Sequence, residues 1–165
     1  PVSNYRKELE LSEAVASIFW TKSKTNFKSE CFISEDFDGF VYKVETDGKP
    51  FSCNVNIKRK QDAYSSCVGA DTIIMNGRIT YSTHHYYGEG GEGMSFGAKL
   101  KVKTDGELKA DHSTVTVVDA TFVTVYAAFE TNYDVCKYDI DETRNSFSLI
   151  PDTGSIPLLE FSGLH

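Results

Sequence analysis

The sequence predicts an all-β protein, a two-layer antiparallel β-sandwich. Apolar residues recur at every second position in several segments, nine Tyr and eleven Phe are present, and Asn/Asp-Gly pairs separate β-patterned runs. Alternation at period two gives a strand one core face and one wet face. Aromatic and β-branched side chains suit that pleated, half-buried surface. Glycine supplies the positive φ that tight turns need.

Strands are expected almost from Pro1. Residues 8–16 fit helix or strand, and the β-rich string Ala14-Val15-Ala16-Ser17-Ile18-Phe19-Trp20 settles its ending as strand. Residues 24–34 follow as the hairpin partner. Phe40-Val41-Tyr42-Lys43-Val44-Glu45 then alternates up to a turn at Asp47-Gly48. Phe51, Cys53, Val55 and Ile57 alternate with Ser52, Asn54 and Asn56. Asn76-Gly77 reads as a turn between Thr72-Ile73-Ile74 and Ile79-Thr80-Tyr81. Met94, Phe96, Ala98, Leu100 and Val102 form an oily face opposite Lys99, Lys101 and Lys103, lysines that also discourage sheet-to-sheet aggregation. Asp105-Gly106 leads into Glu107-Leu108-Lys109-Ala110. Residues 122–129 are apolar on both parities, which predicts a central strand covered on both faces. These runs amount to about eight or nine strands joined as consecutive hairpins. The expected organisation is a sandwich domain over residues 1–147 and an atypical tail over 148–165, in which Ile156, Leu158, Leu159, Phe161 and Leu164 need a surface to cover.

Composition narrows function by exclusion. Lys plus Arg is 17 against 24 Asp plus Glu, a net charge of −7, the wrong sign for a nucleic-acid phosphate backbone. No apolar run reaches the roughly 18 residues of a membrane span, so no membrane partner is expected. Pro1-Val2-Ser3-Asn4-Tyr5 carries neither an initiator Met nor a signal peptide, so any address label is expected to have been cut away or never to have existed. Cys31, Cys53, Cys67 and Cys136 are widely spaced without a CxxC, which argues against a zinc ribbon. Cys31 and Cys53 share parity with apolar neighbours and are expected as buried free thiols on inward faces.

The run His84-His85-Tyr86-Tyr87-Gly88-Glu89-Gly90-Gly91-Glu92-Gly93 holds the main candidate residues. Its literal GxGxxG opens a strand instead of a helix, and Glu89 and Glu92 would repel phosphate, so nucleotide binding is not expected. Adjacent histidines point to opposite strand faces and cannot share one metal without distortion, so no metal is assigned. His84, His85, Tyr86 and Tyr87 are the candidate substrate-binding residues, because Tyr and His offer sugars a flat apolar face with hydrogen-bonding edges. Asp139-Ile140-Asp141-Glu142 lacks the glycine and distal glutamate of a calcium loop and reads as a solvated turn. No Gly-x-Ser-x-Gly elbow or evident Cys-His pair suggests a nucleophile, and no cofactor is expected.

Four blocks in order go further. Tyr5-Arg6-Lys7-Glu8-Leu9-Glu10-Leu11, then the strand from Ala14 and Phe27-Lys28-Ser29-Glu30-Cys31-Phe32-Ile33-Ser34, resemble the N-terminal β-sandwich of glycoside hydrolase family 95, the α-L-fucosidase-like enzymes. Gly93-Met94-Ser95-Phe96 is similar to that family's Gly-Met-x-Phe strand, and Ala127-Ala128-Phe129-Glu130-Thr131-Asn132-Tyr133 to its Ala-Ala-x-Thr-Ser/Asn-Tyr segment. Ser29-Glu30 stands where the family has Arg-Glu, and Asp36-Phe37-Asp38 replaces its Pro-Asp turn. The resemblance implies a non-catalytic domain packed against an (α/α)6 catalytic barrel in which the acid and base reside, so it carries no catalytic residue onto this chain. Expected partners are that missing barrel, a glycan contact, and a second copy forming a homodimer through exposed sheet edges. A free-standing carbohydrate-binding module is the alternative, and a sandwich alike only in fold a third reading.

Overall fold

The computed structural model describes residues 1–34, 39–80 and 92–132. Among them it places eleven strands and no helix. In chain order they are β1 (Val2–Glu10), β2 (Val15–Lys22), β3 (Thr25–Ser34), β4 (Gly39–Thr46), β5 (Phe51–Asn56), β6 (Ala63–Val68), β7 (Thr72–Thr80), β8 (Glu92–Thr104), β9 (Glu107–Asp111), β10 (Thr114–Ala120) and β11 (Phe122–Thr131). The predicted all-β sandwich is what forms: a large antiparallel sheet in the order β1-β2-β3-β4-β11-β8-β7-β6 faces a small one in the order β5-β10-β9.

Side-chain parity sets the inner face. On β8, Phe96, Ala98, Leu100 and Val102 point into the core while Lys99, Lys101 and Lys103 alternate with them. Across the register Ala98 lies between Met75 of β7 and Phe129 of β11, and Leu100 between Ile73 and Ala127. Val115, Val117 and Ala120 of β10 close the core from the other layer, each without exposure. β11 is central, as its apolar pattern predicts, with outer-face Thr124 and Ala128 buried along with inner-face Val123 and Val125.

The small sheet runs across the large one. Phe51, at the start of β5, meets the Phe27 ring of β3 edge-on at 5.6 Å, while the Ile57 carbonyl just past β5 accepts from Ser65 Oγ of β6 at 2.8 Å. Between β3 and β6 lie β4, β11, β8 and β7, roughly 24 Å at the usual strand spacing, about the length of β5 itself. β5 therefore crosses the large sheet from β3 to β6, as in steeply crossed sandwiches, and leaves β1 and β2 outside its span.

Several local expectations change. Asn76-Gly77 is no turn, because β7 continues through it. A Cβ on Gly77 would sit 2.1 Å from the Phe96 ring, so the glycine serves close packing of that ring. Asp47-Gly48 and Asp105-Gly106 do turn the chain, but as corners between sheets, since β4 and β8 lie in the large sheet and β5 and β9 in the small one. Period two cannot distinguish a return into the same sheet from a step to the other. The hairpin expected between β2 and β3 forms, with the partner strand beginning at Thr25 and a two-residue turn at Ser23 and Lys24, both at positive φ, 52° and 64°. β6 and β10 were not among the expected strands, although Thr114-Val115-Thr116-Val117 carries the alternation. Cys31, Cys53 and Cys67 are free thiols, half-buried where burial was expected for Cys31 and Cys53: Cys31 is on β3, towards the β1 side of the large sheet, and Cys53 is on β5 of the small sheet, where it lines an open groove between the layers.

Candidate functional site

Three strands cannot cover eight. The inner face of the large sheet beyond β4 has no second layer among the described residues, and all nine residues of β1 are exposed. Tyr5 (57%), Leu9 (63%) and Ile33 (70%) lie open there. The same face carries Trp20 of β2 stacked on Phe27 of β3, rings 5.1 Å apart and nearly parallel. Trp20 thus belongs to an aromatic pair beside the layer boundary.

Where the small sheet ends, an apolar groove of about 850 Å³ opens between the layers. Its floor is inner-face side chains of the large sheet: Phe40, Tyr42 and Val44 of β4, and Val125, Ala127 and Phe129 of β11. Its wall is β5. Residues 51–57 line it without a break, both parities included, so the groove sees the strand's edge as well as its inward side chains. Among the described residues β5 pairs only with β10, leaving that edge with peptide groups unmatched by another strand. The polar side chains of β5 engage its own sheet: Asn54 Oδ1 accepts from Thr116 Oγ1 at 3.0 Å, and Ser52 Oγ accepts from the Asp119 amide at 3.1 Å.

This chemistry suits a polypeptide. An apolar trough bordered by an open strand edge provides backbone hydrogen bonding and pockets for alternate side chains. It offers a sugar few polar side chains to orient it, which weighs against a carbohydrate-binding module at this place. Burial pushes the Cys53 thiol above its ordinary value, so it stays protonated and is a poor nucleophile. Among the described residues no group of three or more His, Cys, Asp or Glu could hold a metal ion.

The candidate residues His84, His85, Tyr86 and Tyr87 lie outside the described residues, as do Cys136, the Asp139–Glu142 carboxylates and the tail over 148–165. Of the glycine-rich run, Gly93 lies buried in β8, where its carbonyl accepts from Arg78 Nε at 3.3 Å. The β5 groove escaped sequence reasoning because alternation marks an inward face without showing how much of the opposite layer covers it.

Residues 1–135 match the family model described as glycosyl hydrolase family 65, N-terminal domain. The chain belongs to that family. No curated protein matches the chain. The family number corrects the resemblance drawn above, which pointed to family 95. A glycosyl hydrolase N-terminal domain is shown, while the fucosidase assignment is not. The quoted blocks are largely strand strings with alternating apolar residues, which a sandwich of this architecture requires whatever sugar its enzyme cleaves. The match ends within the domain expected over 1–147 and includes the run His84–Tyr87.

Proposed function

We propose that this glycosyl hydrolase N-terminal domain is a non-catalytic buttress for a separate (α/α)6 catalytic barrel of its parent enzyme. The exposed apolar residues on the inner face of β1 to β3 carry the reading: a sheet with Tyr5, Leu9 and Ile33 open on one side is built to be covered by something larger than the small sheet. Support also comes from the family match over residues 1–135, which names an N-terminal domain of a glycosyl hydrolase. The parent's substrate follows the sequence resemblance: terminal α-L-fucosyl linkages, hydrolysed with inversion by two carboxyl groups on the barrel, one as acid and one as base toward water. His84, His85, Tyr86 and Tyr87 would contribute a loop to the substrate entrance. Without the barrel, the β1 edge and the face beside it pair with a second copy.

The test is hydrolysis of a 2′-fucosylated oligosaccharide and of a chromogenic aryl α-L-fucoside by the purified chain. No turnover is expected of either substrate. Turnover by the chain alone would place catalysis on it and overturn the buttress role.

A further inference from the structure

The geometry points to a binding site in the β5 groove for an extended segment of a separate polypeptide. The segment lies antiparallel along β5, with apolar residues at alternate positions and a carboxylate at its C-terminal end. This site goes beyond the buttress role and depends on none of its parts.

A strand edge and an apolar trough together select the shape of the occupant. Residues 51–57 line the groove without a break, and among the described residues β5 has a strand, β10, on one side only. An added strand meets the other side with main-chain hydrogen bonds while its alternate side chains enter the trough over Phe40, Val125 and Ala127. A fatty acyl chain would fill the trough but leave the edge amides and carbonyls unmatched. A helix bonds its main-chain groups internally and would leave them unmatched too.

Charge sets the direction. Lys22 is the one charged side chain among the described residues that line the groove. It is exposed, and none of the ion pairs among those residues uses it. Asp47, at the nearby corner, spends its carboxylate on the Asn26 amide and side chain at 3.3 and 3.0 Å. Trp20 lies two residues before Lys22 on the same face of β2 and stacks on Phe27, which meets Phe51 edge-on. The lysine therefore marks the end of the groove where β5 begins. A strand antiparallel to β5, the sense in which β5 already pairs with β10, runs from Asn56 toward Phe51 and delivers its C-terminus to that ammonium group. On a chain of net charge −7, a lone cation at the end of an apolar trough favours an acidic terminus there.

The probe is the synthetic peptide acetyl-Lys-Val-Thr-Leu-Ser-Phe-Ser-Asp with a free C-terminal carboxylate. It is titrated into the full chain, and emission from Trp20, the only tryptophan, reports occupancy of the groove. A saturable change is expected. With peptide bound, β5 amides directed away from β10 should exchange roughly tenfold or more slowly, while those bonded to β10 keep their rates. Lys22→Glu should weaken binding roughly fivefold, and a peptide ending in Lys amide should bind that variant better than the Asp peptide does. N-methylation of the alternate peptide amides that face β5 should weaken binding by roughly tenfold, and methylation of the other set should not. Absence of saturable binding overturns the inference. So does β5 protection by dodecanoate, the mark of a lipid site, or protection that grows with protein concentration without peptide, the mark of a second copy. Affinity indifferent to the charge exchange overturns the acidic terminus, and affinity indifferent to both methylation sets overturns strand addition. None of these results bears on hydrolysis of a fucoside, so this inference and the buttress role fail separately.

Discussion

Asp105 shows how one side chain sets a corner. It stands where β8 leaves the large sheet, and its Oδ1 accepts from the amides of Thr121 and Phe122 at 2.9 and 3.2 Å while Oδ2 accepts from Thr121 Oγ1 at 2.5 Å. These bonds join the turn into β9 to the turn between β10 and β11. Slight burial pushes the carboxyl pKa up, but the Thr121 hydroxyl and the Phe122 and Thr121 amides outweigh it, and the net shift is downward. A carboxylate with a depressed folded pKa stabilises the protein above its unfolded value, near pH 4, and loses that contribution as pH falls through the folded value. Asp105→Asn is expected to lower stability at pH 7 by about 1 kcal/mol or less, since the group is largely exposed and screened. The gap between variant and parent urea midpoints should shrink as the solution is acidified below pH 4, and a gap independent of pH would contradict this account.

At the scale of the element, β7 is the instructive strand. Asn-Gly flanked by apolar runs is a strong hairpin signal, yet here the pair sits inside a ladder, with Asn76 opposite Gly97 and Gly77 opposite Phe96. The Phe96 ring takes the space over Gly77, and the Arg59 guanidinium lies over that ring at 4.5 Å from its centre. Gly77→Ala brings a methyl within 2.1 Å of the ring and 2.4 Å of the Asp62 carbonyl oxygen, so Phe96 or the strand must move. A loss of roughly 1–3 kcal/mol is expected by urea denaturation. An unchanged midpoint would show that the ring relocates freely. The signal was misread because a glycine required by a neighbour's ring and a glycine required by φ look alike in sequence.

For the whole molecule, the mismatch between eight strands and three governs behaviour. Among the described residues the interior is most complete where β10 and β5 cross β11, β8 and β7, and Val115, Val117 and Ile73 have no exposure there. The other flank ends in β1, an edge strand with every residue exposed. Its run Arg6-Lys7-Glu8 and the irregular pairing between Ser3 and Arg6 blunt that edge without closing it. At high concentration the isolated chain should therefore scatter light as a dimer. Leu9→Asp, at a position 63% exposed, should shift it toward monomer while changing the unfolding free energy measured in urea by no more than about 0.5 kcal/mol. A monomer for the parent chain at high concentration would remove the self-association, leaving the β5 groove unaffected.

By itself the sequence determined the class of fold and the faces of its strands. Period two is a local property, so the inward stripe of β8, the hairpin of β2 and β3 and the central place of β11 were all legible from neighbouring residues. Which strands share a sheet was decided only in three dimensions, because Asp47-Gly48 and Asp105-Gly106 have the same local chemistry whether the chain returns or crosses over. The open groove follows from that choice of partners: no residue of β5 announces that, among the described residues, only one of its edges has a strand beside it, since strand neighbours are a property of the assembled sheets.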